Sequence, residues 1–208
     1  IEKYRPMENA ITVMTSRGCP YGCIFCASRV MWGQNVRLRK PKSVVNEIEH
    51  IVKNYGYNAI SFADDVFTID KERTLKICDL MKKYRLNIDW ECSTRTDLLT
   101  RDLLKEMKKS GCKAIFLGIE SGNQETLNIL NKGTTLKQAE KVVRWMSDLG
   151  IEARLSFILG CPGESMKMSI QTLEFAEKLI DLGAGSVCFS FLKPYPGTML
   201  AEKPKDYN

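Results

Sequence analysis

Six short runs of apolar, β-branched and aromatic residues recur along the chain, separated by stretches with a helical apolar stripe. That alternation limits the possible folds more than any other feature. The runs are "AITVMTS" (10–16), "AISFAD" (59–64), "NIDWECST" (87–94), "KAIFLGI" (113–119), "EARLSFIL" (152–159) and "SVCFSFL" (186–192). Each has the length and composition of a strand. Between them, residues 43–55 set Val44, Val45, Ile48, Ile51 and Val52 on one helical face. Further helices are expected over 70–84 and 100–110, closing on "KKY" and "KKSG". There the lysines suit the negative helix end, and Gly111 can cap. "TLKQ" at 135–138 has capping-box form and opens a helix to Leu149, stopped by Gly150. A last helix over 166–182 stops at Gly183.

Strands regularly separated by helices need crossover connections, so the chain is an α/β protein with a parallel sheet and helices outside it. Periodicity leaves open whether the sheet is doubly wound or rolled into all or part of a barrel. In both cases ligands gather at the carboxyl ends of the strands. With 208 residues, 44% hydrophobic and 27% charged, the chain reads as one soluble domain over 1–208, a piece of a longer protein. Its ends, 1–9 and 201–208, are linker-like in composition. The net charge of +6 is mild and the lysines are spread over the helices, which argues against a nucleic-acid partner. With no apolar run near 18 residues and no signal peptide, no membrane partner is expected. Five of the eight cysteines, Cys78, Cys92, Cys112, Cys161 and Cys188, stand alone among apolar or small residues. They are expected to pack as small buried hydrophobes in a reducing, cytoplasmic setting.

The other three fall within eight residues, in "TSRGCPYGCIFCAS" (15–28), as C-x3-C-x2-C: Cys19, Cys23 and Cys26. Structural zinc wants four protein ligands, usually as paired units. The sole histidine, His50, lies in a helix far along the chain. Iron–sulfur clusters also take cysteine thiolates, commonly four. Three without a fourth suggest a cubane with one iron left open to an exogenous ligand, the counterpart of a catalytic metal site with a vacant position. Gly18, Gly22 and Pro20 fit a loop that wraps a cluster closely.

This spacing after a first strand, with the aromatic Phe25 before the third cysteine, resembles the radical S-adenosylmethionine superfamily. The resemblance implies a partial (βα)6 barrel and a [4Fe–4S] cluster on Cys19, Cys23 and Cys26, with S-adenosylmethionine on the fourth iron. It implies reductive cleavage to a 5′-deoxyadenosyl radical that abstracts hydrogen from substrate. The electron comes from an external donor of flavodoxin or ferredoxin type. The other strand ends carry the resemblance over most of the chain. "FADDVFT" puts Asp64 and Asp65 where the family meets the methionine amino group, and "CSTRTD" puts Arg95 at a position that touches the cofactor. In "FLGIESGNQETLNILNKG", Glu120 is placed for the ribose hydroxyls and Lys132 for the methionine carboxylate, with Gly118 and Gly122 allowing a tight turn. In "LSFILGCPGE", Ser156 matches a ribose contact and Gly160 opens the turn that lines the adenine. "PYPGT" at 194–198 resembles the segment that closes the core.

Together these segments are most similar to the branch in which a cobalamin-binding domain precedes the core. That implies methyl transfer, with cobalamin supplied by a domain outside this chain. Methylthiotransferases acting on RNA or protein are the cousin reading. A non-catalytic iron–sulfur electron-transfer module is the alternative from another class. The substrate is not legible in the sequence.

Overall fold

The computed structural model describes residues 10–203 and Lys205. In chain order the first half holds β1 (Ala10–Val13), β2 (Ser16–Arg17), α1 (Ser28–Trp32), β3 (Arg37–Leu38), α2 (Pro41–Tyr55), β4 (Ala59–Phe62), α3 (Lys71–Lys83) and β5 (Asp89–Thr94). The second half holds α4 (Arg101–Lys109), β6 (Cys112–Glu120), α5 (Gln124–Ile129), α6 (Leu136–Asp148), β7 (Glu152–Leu159), α7 (Met166–Asp181), β8 (Ser186–Phe191) and α8 (Met199–Glu202).

The main sheet runs β1-β4-β5-β6-β7-β8, every neighbouring pair parallel. The order never reverses, and this resolves the choice left open by periodicity. A doubly wound sheet needs a reversal, because only then do right-handed crossovers put helices on both faces. Here every crossover steps the same way, so the helices fall on one face and the other becomes the inside of a curl. β1 and β8 stay unpaired at the two edges, so the curl is a partial barrel.

The strand sequences show both faces. In β7, Ala153, Leu155 and Phe157 are buried under the helices, while Arg154, Ser156 and Ile158 are only half-buried on the opposite side. On the helical side, α2 buries Val44, Val45, Ile48 and Ile51, the stripe its sequence dictates. Phe62, Phe67 and Trp90 pack together at 4.5–5.5 Å between ring centroids. The buried Trp90 Nε1 donates to the Ser110 carbonyl at 2.9 Å, which removes the cost of its one polar atom. The expected capping box of α6 is present, with Thr135 and Gln138 bonding reciprocally.

Where structure and expectation differ, the reasons are local. β1 ends at Val13 instead of 16. The Thr15 amide and the Thr15 and Ser16 hydroxyls turn to the Asp64 carboxylate at 2.5–2.6 Å, and Ser16 then begins a separate two-residue ladder with β3. α1, α5 and α8, of 5, 6 and 4 residues, are shorter than the window in which a 3.6-residue period is readable. The expected linker at 1–9 lies outside the described residues. Of 201–208, Ala201 and Glu202 instead close α8, and most of the rest lies outside them too. Among the described residues no helix is long and apolar enough to cross a membrane.

Cys78, Cys92, Cys112 and Cys161 are buried as expected. Burial pushes the thiols of Cys78 and Cys161 up to about 11 and about 12, which leaves them unreactive. Cys188 is a correction: it is exposed. It stands on the edge strand β8, beyond which no further strand covers it, and borders the hollow of the curl.

The segment after β6 meets α7 at Gly122. A Cβ there would lie 2.5 Å from Phe175 Cβ and 2.6 Å from the Gln171 carbonyl oxygen. Gly122→Ala is therefore expected to cost about 1–3 kcal/mol by overpacking, seen as a lower urea midpoint with an unchanged denaturant slope. A midpoint equal to that of the parent would contradict this account of the glycine.

Candidate functional site

A cavity of about 650 Å3 opens inside the curl, towards the carboxyl ends of the strands. One wall is the cysteine loop, and Cys19, Cys23, Phe25 and Cys26 all border the cavity. The loop has no regular structure of its own, so its shape comes from what holds it. The Ile24 amide donates to the Leu130 carbonyl at 3.1 Å, and the Leu200 amide donates to the Ile24 carbonyl at 3.1 Å. Asn131 Nδ2 donates to the Gly22 carbonyl at 2.9 Å. Gly18 stands at φ +96°, where a Cβ would fall inside contact distance of the Asn35 carbonyl; only glycine fits there.

Arg95 is the hub behind the loop. It is 5% exposed and its guanidinium lies 3.6 Å from the Tyr21 ring centroid. It forks Asp97 at 2.9 and 3.1 Å and donates to the Lys132 carbonyl at 2.7 Å. Nη1 stands 4.0 Å from Cys23 Sγ. A planar donor fork reaches so many partners at once; an ammonium does not.

Burial pushes the Cys19 and Cys26 thiols up, and neighbouring cysteine thiols and Asp65 add to the shift. Backbone hydrogen bonds from Tyr21 and Ser28 oppose it. Thiolates so crowded are disfavoured unless a cationic group is shared among them. Among the described residues, no three His, Cys, Asp or Glu converge on a single metal ion. A donor set of three thiols spread along the wall of a cavity suits a polynuclear iron–sulfur group.

The two adjacent aspartates part company. Asp64, 2% exposed, gives its carboxylate to Thr15 and Ser16 and does not border the cavity; Arg73 Nη2 supports Thr15 from behind at 2.7–2.9 Å. Asp65 does border it, and accepts from Ser28 Oγ at 2.7 Å. Glu120 and Lys132 meet each other: Nζ to Oε1 is 2.7 Å, with both side chains under 10% exposed. Glu120 is held at φ +69°, where the β6–β7 register shifts between Gly118 and Glu120. A non-glycine residue there is strained, and such strain clusters at functional sites. A Cβ on Gly118 would lie 2.9 Å from Lys132 Nζ and still closer to Glu120 Oε1, so the glycine makes room for the pair. Ser156 borders the cavity. Gly160 does not; it stands at φ +76° in a turn whose Gly160 and Cys161 amides donate to Glu164 Oε2 at 2.6 and 2.9 Å.

Several bordering residues escape the sequence reading. Tyr21 lies under Arg95. Deeper in, Arg154 Nη1 bonds Glu91 at 2.8 Å and the guanidinium forks Glu152 at 2.9–3.0 Å. It also lies 5.0 Å from the Phe116 ring centroid. The signal was available: Glu91 shares its strand parity with Ser93, and Arg154 with Ser156. A charge at each such position marks a polar inner face.

Lys132→Met is expected to cost about 3 kcal/mol, because it strands a buried carboxylate. Adding Glu120→Gln should recover more than half of that loss, read from urea unfolding of the apo protein. A double variant no more stable than the single one would contradict the pairing.

The sequence model of the Radical SAM superfamily matches residues 13–176. An uncharacterized methyltransferase of Pyrococcus horikoshii is 37% identical over 191 residues, 91% of this chain and 41% of the relative. The anaerobic magnesium-protoporphyrin IX monomethyl ester cyclase of Rubrivivax gelatinosus is 30% identical over 206 residues, 98% of this chain and 36% of the relative. The chain thus spans about two fifths or less of these relatives' lengths. The radical S-adenosylmethionine methyltransferase TsrM from Kitasatospora setae, solved with cobalamin and a [4Fe–4S] cluster bound, superposes with a TM-score of 0.85. That match covers 94% of this chain and 36% of the other, at 20% identity, and bears on the fold.

Proposed function

The chain belongs to the radical SAM superfamily, and on that premise we propose that it is the radical-generating core of an S-adenosylmethionine-dependent methyl-transferring enzyme. The observation that carries this reading is one cavity bordered by three thiols on one side and by Asp65, Arg95, Glu120, Lys132 and Ser156 on the others. Cys19, Cys23 and Cys26 would hold a [4Fe–4S] cluster, which would supply the electron for reductive cleavage of S-adenosylmethionine to a 5′-deoxyadenosyl radical.

The chain's own residues bind and orient. Asp65 offers a carboxylate to the methionine ammonium and Lys132 a cation to its carboxylate. Glu120 then exchanges part of its bond to Lys132 for ribose hydroxyls, which need acceptors, and Ser156 adds a hydroxyl on the same side. Phe25 borders the cavity and packs against the apolar cluster of Ile24, Leu130, Cys161 and Leu200. Asp64 acts one step removed, fixing the exit of β1 into the loop. Gly160 acts through the shape of its turn. An electron-transfer module has no use for this polar set facing its thiols, which favours the catalytic reading.

Methyl transfer rests on the methyltransferase name of the Pyrococcus horikoshii relative. His50, the only histidine, is exposed on α2 and bonds Asn54 at 2.9 Å. On this reading any cobalamin is held by a domain other than this one. The electron donor is an external one-electron carrier. The substrate is unidentified.

The test is anaerobic reconstitution with iron and sulfide, followed by reduction with dithionite in the presence of S-adenosylmethionine. Formation of 5′-deoxyadenosine is expected, and Cys23→Ala should abolish it and lower bound iron. An intact cluster that yields no 5′-deoxyadenosine would overturn the reading.

A further inference from the structure

The cysteine loop has two sides. Cys23 and Cys26 border the inner cavity, and both also border an outer groove of about 300 Å3 formed with Arg29, Val30, Thr198 and Met199. Two of the three thiols are thus bordered both by the inner cavity and by the outer groove. Val30 and Met199, which line that groove, are 52% and 44% exposed, and Met31, next to Val30 in α1, is 67% exposed.

The charge around it is one-sided. Residues 10–46 contain Arg17, Arg29, Arg37, Arg39, Lys40 and Lys42 and no aspartate or glutamate. The whole chain has 31 Lys and Arg against 25 Asp and Glu, so the rest is balanced at 25 each and this segment accounts for the entire net charge of +6. Among the described residues the one ion pair made by this segment is Arg39 with Glu47, at 2.5 Å. Glu202, which accepts from the Gly197 amide at 3.2 Å, is the acid beside the groove's far lip.

Two of these cations are placed at a cost to the fold. Arg17 and Arg37 are directly opposite each other in the β2–β3 ladder, and both are exposed. Like charges across a ladder destabilise it. Trp32 keeps them in place: Arg17 lies 5.5 Å from its ring centroid, and Arg37 donates to its carbonyl at 3.1 Å. Trp32 ends α1, the five-residue helix that also carries Arg29 and Val30 of the groove, so one short helix ties the ladder to the groove.

We propose that this face, comprising the Arg17–Arg37 ladder, Lys40, Lys42 and the apolar rim of the outer groove, docks an acidic one-electron carrier protein against the outside of the cysteine loop. The proposal rests on the radical reading above and says where its electron enters. One electron leaves the carrier, which is oxidised, and reduces the group held by the three thiols. Opposite charge steers the encounter, and Val30, Met31 and Met199 supply the apolar centre that such interfaces need. A nucleic acid fits the charge as well. It gives no reason for a groove that reaches Cys23 and Cys26 from outside or for the exposed methionines.

The test uses the full-length protein and a reduced acidic flavodoxin. In Arg17→Glu/Arg37→Glu, the second-order rate of cluster reduction by flavodoxin should fall about tenfold at low salt, and its salt dependence should flatten. Dithionite-driven 5′-deoxyadenosine formation should stay at the parental level. A second readout needs no cluster: carbodiimide treatment of the apo protein with flavodoxin should cross-link Lys40 and Lys42, located by mass spectrometry. Lys40→Glu/Lys42→Glu serves as the second variant should the ladder variant unfold, with the same expected loss. Equal flavodoxin rates in variant and parent overturn the proposal. So do cross-links elsewhere, protection of Lys40 and Lys42 by another part of the chain, or loss of binding to a single-stranded RNA oligonucleotide with carrier rates unchanged. Failure of dithionite to drive cleavage in the parent sinks the radical reading instead, a separate result.

Discussion

The cysteine loop depends on one buried guanidinium. A segment with three thiols in eight residues buries a single apolar side chain, Ile24, and has little else with which to fold itself. Arg95, delivered by the end of β5, supplies what is missing. It stacks on Tyr21 from the loop, holds the carbonyl of Lys132 from the turn after α5, and is held in turn by Asp97. Three segments distant in sequence meet at one planar group, and the thiol spacing becomes a wall with a fixed orientation. Its charge is compensated by Asp97 and by its packing on an aromatic face, which makes its burial tolerable.

The second constraint is the direction of winding. Because each strand joins the sheet on the same side of its predecessor, the helices claim one face and the polar strand positions are left with the other. Glu91, Arg154 and Ser156 then face a hollow. Two edges remain, and Cys188 is exposed on β8, an edge strand among the described residues. The same openness gives the cysteine loop an inner and an outer side.

Much of this was legible beforehand. The six strands and five long helices fall within a few residues of where period-2 and period-3.6 patterns put them, because each buries one face against the other layer. The thiol triad was legible because three cysteines at that spacing have few other uses. Asp64 and Asp65 were not separable. Adjacent carboxylates look alike in sequence, and only the approach of Thr15 and Ser16 decides which is consumed in bracing β1. Glu120 and Lys132 are twelve positions apart, and nothing local indicates that a bulge at Gly118 turns them onto each other.

The sequence by itself determined the layering, the thiol donors and the excess of cations before residue 47, since these follow from residue types and short-range spacing. Tertiary structure decided the rest. It decided that the sheet curls and does not wind both ways, and that one aspartate of two reaches the cavity. It also decided that Cys23 and Cys26 border an outer groove, with Arg29, as well as the inner cavity. These outcomes depend on contacts between residues far apart in the chain, whose energies become available only once the backbone has closed the distance.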